Sequence, residues 1–183
     1  MKEPSQKFCS HCGSDIIIKI PEGDNLKRAV CDNCGAIFYE NPKVVAGCIL
    51  EWEGKILLCK RANEPRSGYW TLPAGFLENE ETVEEGALRE SWEEARARSE
   101  EIKLFMMCNL PHISQIYMIY HGFLVDGKYD VGPESSEVKL FSEEEIPWTD
   151  IAFTVIEKTI KFYYQDVKKG NIDIHFDTII KTR

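Results

Sequence analysis

The apolar positions of this 183-residue chain fall into short runs separated by polar, breaker-rich stretches. From Val44 to Trp52 they are nearly continuous. Glu53-Gly54 follows, and Lys55–Lys60 forms a second run. That pattern predicts two strands joined by a tight turn. Asn63 to Gly68 is full of breakers and reads as a loop. Further strands are expected at Ile102–Leu110, Ile113–Val125 and Val138–Phe141, with Pro111 between the first two and a hairpin signal at Asp126-Gly127. Ser142 with Glu145 has capping-box spacing for a short helix ended by Pro147. From Ala152 to Lys168 the apolar residues Val155, Ile156, Ile160, Tyr163, Tyr164 and Val167 recur at helical spacing, and Gly170 is placed to end that helix.

An acidic helix is expected after Thr82. Thr82 and Glu85 form a capping box, and Glu84 adds charge that favours the positive end of the helix. At about 100° per residue, Glu90, Glu93 and Glu94 share one face, which Gly86 and Ala87 continue. Leu88, Trp92 and Ala95 fall opposite and are expected to anchor the helix. Like charges at these spacings cost a few tenths of a kcal/mol per pair. A divalent cation would reverse that sign, and hard oxygen donors suit Mg²⁺ or Mn²⁺. By pattern alone a solvated acidic face explains the helix equally well.

The seven cysteines separate into two groups. Cys9-Ser10-His11-Cys12-Gly13 and Cys31-Asp32-Asn33-Cys34-Gly35 are matched C-x-x-C pairs, with strand-like segments Ile16–Ile20 and Leu26–Val30 between them. The spacing points to a zinc ribbon in which Cys9, Cys12, Cys31 and Cys34 hold a structural Zn²⁺. So short a segment has too little core to fold alone, so metal would supply the missing stability. Cys48, Cys59 and Cys108 lie singly in apolar runs and read as buried residues. The expected division is a ribbon over residues 1–40 and a mixed α and β domain over 41–183.

The net charge of −9 narrows the partners. Residues 1–43 carry six basic and six acidic groups, so the excess lies beyond them, and eight glutamates fall between Glu78 and Glu94. An acidic chain without a basic patch disfavours nucleic acid. No apolar run approaches the roughly 18 residues of a membrane span, and the first residues are polar. The expectation is a cytoplasmic protein with no membrane partner.

From Gly75 the chain reads Gly75, five residues, Glu81, seven residues, Arg89-Glu90-Ser91-Trp92-Glu93-Glu94. This resembles the Nudix box, G-x5-E-x7-R-E-U-x-E-E-x-G-U, and Leu72-Pro73-Ala74 resembles the loop before it. The resemblance covers about residues 43–165. It departs at Ser91, where the family has a bulky apolar residue, at Arg96, where it has glycine, and at Ala97. Without that glycine the helix is expected to run longer or to exit differently. The resemblance implies an α/β/α sandwich with a mixed sheet, preceded here by the ribbon.

It also implies a chemistry. Nudix hydrolases cleave a nucleoside diphosphate linked to another moiety, with divalent metals at the diphosphate. By the resemblance, Glu90, Glu93 and Glu94 would bind Mg²⁺ or Mn²⁺ with the carbonyl of Ala74, and Arg89 would pair with Glu81 to hold the loop. Glu137, just before the strand Val138–Phe141, is the first choice for general base and Glu134 the reserve. Arg61, Trp70, Phe76 and His112 are candidates for contacts to substrate. Pro111-His112-Ile113-Ser114-Gln115 and Leu72-Pro73-Ala74-Gly75-Phe76 resemble the ribbon-bearing relatives of ADP-ribose and FAD pyrophosphatases. The longer signature of the NADH pyrophosphatases is mostly absent. The first expectation is therefore a hydrolase of ADP-ribose or FAD yielding AMP. NADH hydrolysis, or a nucleotide-sensing module whose ribbon docks a partner, stands as the alternative. Dimerisation is common in such folds, and a homodimer is compatible with the resemblance.

Overall fold

The computed structural model describes residues 6–180. The chain divides into two compact units at Asn41-Pro42. The first is a three-stranded antiparallel sheet of β1 (Ile16–Lys19), β2 (Arg28–Cys31) and β3 (Ile37–Phe38), with β2 in the centre. Its two cysteine loops have the same construction. The amide of Gly13 donates to the Cys9 carbonyl and that of Gly35 to the Cys31 carbonyl, with both glycines at positive φ. Its small core clusters Cys9, Ile16 and Cys31, with Ala29, Ala36 and Phe38 packed against them, and Val30 is buried as well.

The second unit is built on a mixed sheet. Its strands are β4 (Lys43–Trp52), β5 (Lys55–Arg61), β6 (Trp70–Thr71), β7 (Ala74–Phe76), β8 (Ile102–Leu110), β9 (Gln115–Phe123), β10 (Ser135–Phe141) and β11 (His175–Thr178). The order is β10-β5-β4-β9-β8-β11, with β6 on β5 and β7 on β4. The β4–β9 and β8–β11 pairs are parallel. Two helices, α1 (Val83–Ala95) and α2 (Thr154–Lys169), cover opposite faces. This is the α/β/α sandwich that the resemblance implied. Strand β4 explains its own continuous apolar run: Val45 and Ile49 face the α2 layer, while Ala46, Cys48 and Leu50 face the α1 layer. Among the described residues no helix is long and apolar enough to cross a membrane.

The β4–β5 hairpin turns at Glu53 and Gly54, both at positive φ, as a two-residue turn between twisted strands requires. Its strands pair only near the tip, at Glu51–Ile56 and Trp52–Lys55. Beyond that β4 pairs with β7 and β5 with β6, so residues 70–76 occupy the gap between them. The segment that leads toward α1 is thereby wedged into the sheet.

Several expectations shift by a few residues. The strand predicted from Ile113 begins at Gln115, because Pro111–Ile113 make a 3-10 turn with Ser114 in the left-handed region. Asp126-Gly127 closes a single 3-10 turn rather than a hairpin. Strand β11 has no counterpart in the sequence reading. The face assigned to α1 needs a larger correction. The helix buries Gly86, Ala87, Glu90, Ser91, Glu94 and Ala95. Leu88 is only half-buried, and Trp92 is exposed beneath Arg96 and Arg98. Small residues let the helix backbone lie close to β4, and that approach carries Glu90 and Glu94 inward. Arg96 itself adopts the left-handed conformation (φ 50°), its amide donating to the carbonyls of Ser91 and Trp92. The helix therefore ends where a glycine would have ended it.

Candidate active site

A cavity of about 760 Å³ opens between β7, α1, the β8–β9 turn and the start of α2. Its acidic wall comes from α1. Thr82 caps the helix, with its hydroxyl accepting from the Glu85 amide and the Glu85 carboxylate accepting from the Thr82 amide. Glu90 and Glu94 are 9% and 6% exposed, and Glu93 lies at the rim. Glu90 rests on bare backbone: a Cβ on Gly75 would stand 2.3 Å from its Oε1. Glu94 accepts from the Ala74 amide at 3.1 Å. Burial pushes the Glu94 carboxyl up to about 8 against that hydrogen bond, with the Glu90 charge adding to the rise. Burial likewise raises Glu90.

Arg89 ties this wall together. Its guanidinium donates to both oxygens of Glu81, at 3.0 and 2.8 Å, to Glu90 at 2.7 Å, to Glu93 at 3.3 Å and to the Phe76 carbonyl at 3.1 Å. Glu81 in turn accepts from the Glu78 amide. These bonds hold the Glu81 carboxyl down at about 2, Arg89 being the largest cause. Arg89 thus positions the loop and the glutamates.

The C-terminus of α1 meets the loop before β10. The Asp130 and Gly132 amides donate to the carbonyls of Ala95 and Glu94, and a Cβ on Gly132 would lie 1.8 Å from the Glu93 carbonyl oxygen. This contact brings Glu134 to the cavity, where its charge helps raise both Glu90 and Glu94. Glu137 does not line the cavity. It is exposed, opposite Lys60 on β5, with Lys60 Nζ 3.5 Å from its carboxylate. The strand alternation that turns Glu137 out leaves Glu134, on the loop, facing the glutamates.

Arg61, Phe76 and His112 also line the cavity, and Ala74 forms part of its floor. Trp70 does not. It is buried and packs edge-on against Phe141, so its ring serves the core, while the next residue, Thr71, faces the cavity. Sequence reasoning missed Phe153 and Val155 at the start of α2, and Ile179 after β11. The helical spacing showed which face of α2 is apolar but not that its first turn ends at a cavity. Nothing in the sequence pattern pointed to Ile179.

The residues fit the metals that the resemblance implies. Glu90 and Glu94 are buried hard-oxygen donors, the kind that suits Mg²⁺ or Mn²⁺, with Arg89 bonded to Glu90 and Arg61 in the same cavity. In the first unit the ligand sulfurs of Cys9, Cys12, Cys31 and Cys34 all lie within 4.8 Å of one another. The Cys9–Cys34 and Cys12–Cys31 separations are 3.6 and 3.5 Å. Tetrahedral Zn–S bonds of about 2.3 Å place sulfurs about 3.8 Å apart, so the quartet is close to that shape.

Comparison with known proteins agrees with this geometry. Residues 41–161 match the NUDIX domain family, and residues 7–40 match its "Nudix N-terminal" ribbon. A NUDIX hydrolase crystal structure from Nitrosomonas europaea is 53% identical, with a TM-score of 0.90 over 95% of this chain and 99% of that one. The ADP-ribose pyrophosphatase of Methanocaldococcus jannaschii is 34% identical over 68% of this chain and 75% of its own length. The NAD-capped RNA hydrolase NudC of Chromobacterium violaceum is 28% identical over 80% of this chain. This chain spans about half (51%) of that relative's length. On the match across two thirds of its length, this chain belongs to the NUDIX family.

Proposed function

We propose that the protein is a Mg²⁺- or Mn²⁺-dependent pyrophosphohydrolase that cleaves ADP-ribose or FAD to AMP and the phosphorylated remainder. The observation that carries this reading is the buried pair Glu90 and Glu94, opposite Arg61 in one nucleotide-sized cavity. Glu90, Glu93 and Glu94, with the Ala74 backbone, would hold the cation. When bound, the ion offsets the charge of the diphosphate and favours formation of the attacking hydroxide.

The chain's own groups supply the rest. Arg61 presents a guanidinium to a phosphate oxygen. Phe76 and Phe153 offer rings to the substrate's apolar parts. Arg89 and Glu81 keep the Gly75 loop against α1. Glu134 takes a proton from the attacking water. The oxygen of that water bonds to the phosphorus distal to the adenosine as the bridging P–O bond breaks, and AMP leaves with the bridging oxygen. The structural zinc would hold the two cysteine loops of the ribbon together.

The 34% identity with an ADP-ribose pyrophosphatase supports the substrate class. The NAD-capped RNA hydrolases among the relatives keep NADH as the second substrate to test. The assay is AMP release from ADP-ribose, FAD and NADH with Mg²⁺. Glu93→Gln/Glu94→Gln is expected to abolish it. Glu134→Gln is expected to cut kcat about 100-fold or more, and Glu137→Gln less than threefold. A Glu137→Gln enzyme as impaired as Glu134→Gln would refute the assignment of the base.

A further inference from the structure

Strand β11 lies beyond the residues that match the NUDIX family, yet Ile179, the residue that follows it, lines the cavity. It pairs in parallel with β8 from His175–Met106 to Thr178–Asn109, and the Ile179 amide extends that ladder to the Asn109 carbonyl at 2.9 Å. The Ile179 side chain packs against the core and lines the cavity. Its carbonyl lies 3.1 Å from Nδ1 of His112, on the turn between β8 and β9. A carbonyl only accepts, so Nδ1 of His112 carries the proton. In the neutral ring, Nε2 is then a lone-pair acceptor.

The strand is held from behind by α2. Asp166 is fully buried, and its Oδ2 accepts from the Asp173 amide at 3.0 Å and sits 2.7 Å from Nε2 of His175. The His175 ring stacks on Phe162 with centroids 4.5 Å apart. Lys158 Nζ lies 2.5 Å from Asp177. His175 and Asp177 therefore face the helix, and Phe176 points away from it, 69% exposed.

We propose that β11 is a positioning element of the substrate site. Through the Ile179 carbonyl it fixes His112 as a hydrogen-bond acceptor for an amino or hydroxyl group on the nucleotide. This rests on the reading of the cavity as a dinucleotide hydrolase site. A neutral hydrogen bond of this kind corresponds to about three- to tenfold in affinity.

The test is a double-mutant cycle on the full chain with ADP-ribose. His112→Ala and His175→Ala are each expected to raise KM about three- to tenfold. The double variant is expected to be no worse than either alone, because His175 acts through His112. Phe176→Ser, on the exposed side of the same strand, is expected to keep the wild-type KM. Nitrogen NMR of the His112 ring should show the Nδ1–H tautomer in the wild type and its loss in His175→Ala. Substrates separate the donor. If the adenine amino group is read, the hypoxanthine analogue loses the dependence on His112; if a sugar hydroxyl is read, the deoxy analogue does. Effects that multiply in the double variant, an unchanged KM in His112→Ala, or a dependence kept by both analogues would overturn the proposal. A wild type that binds ADP-ribose without cleaving it would overturn the hydrolase reading alone. The same cycle is then read in Kd, with the same two outcomes.

Discussion

Arg96 occupies a left-handed position that most residues avoid, at a cost of about 1–2 kcal/mol. Its amide already makes both capping bonds, so Arg96→Gly removes the strain without losing the cap. Glycine's larger entropy when unfolded takes back part of the gain. The expected net is about 0.5–1 kcal/mol, seen as a rise of about 1–4 °C in Tm by calorimetry. Glu81 makes a second residue-scale prediction. Its carboxyl is held at about 2 in the fold, against an ordinary 4.5. Folded pKa below unfolded pKa means that its contribution is present above pH 4.5 and is lost as pH falls toward 2. Thermal melts from pH 6 down to 2 should therefore show a shallower loss of Tm for Glu81→Gln than for the wild type. Equal slopes would mean that the Arg89–Glu81 pair does not anchor the loop energetically.

At the scale of elements, legibility depended on which side each element shows to the core. Strands β4, β5, β8, β9 and β10 were readable because their apolar residues point inward. The turn at Glu53-Gly54 and the caps at Thr82 and Gly170 were readable because local chemistry alone decides them. Helix α1 was placed correctly and rotated wrongly. Hydrophobicity put Leu88 and Trp92 inside with Ala95, but of the three only Ala95 is fully buried, and the close approach to β4 needs Gly86, Ala87 and Ser91 beside it. Strand β11 inverts the rule altogether. Ile174 and Phe176 are exposed, while His175 and Asp177 turn to α2, so a pattern reader sees no buried face. At the site, the acidic box was legible because its spacing is long and specific. Trp70 misled because a large ring near a loop serves a core as readily as a substrate. Glu137 and Glu134 could not be ranked from the sequence, because the step from loop to strand decides which carboxylate lines the cavity.

For the molecule as a whole, the two units differ in what holds them. The second has two cores, one on each side of its sheet, whereas the buried cluster of the first is Cys9, Ile16 and Cys31. On the proposed zinc assignment, metal binding would supply the first unit's missing stability. The expected result is one zinc per chain by elemental analysis. Strong chelation should broaden or shift the NMR amide signals of residues 7–40 while those of β4 and β9 stay in place. Cys12→Ser should reproduce that pattern. A first unit unchanged after complete zinc removal would overturn the assignment.

The contact between Gly132 and the Glu93 carbonyl has a consequence for how this site varies. A methyl group at position 132 has no room, and two amides of the same loop close the last turn of α1. Helix and loop are thus one part, and Glu93, Glu94 and Glu134 cannot be retuned separately. A chimera that imports the acidic helix from a relative should work only if residues 130–134 travel with it. Exchange the helix alone, and the mismatch falls at its last turn, beside the residue assigned to move the proton.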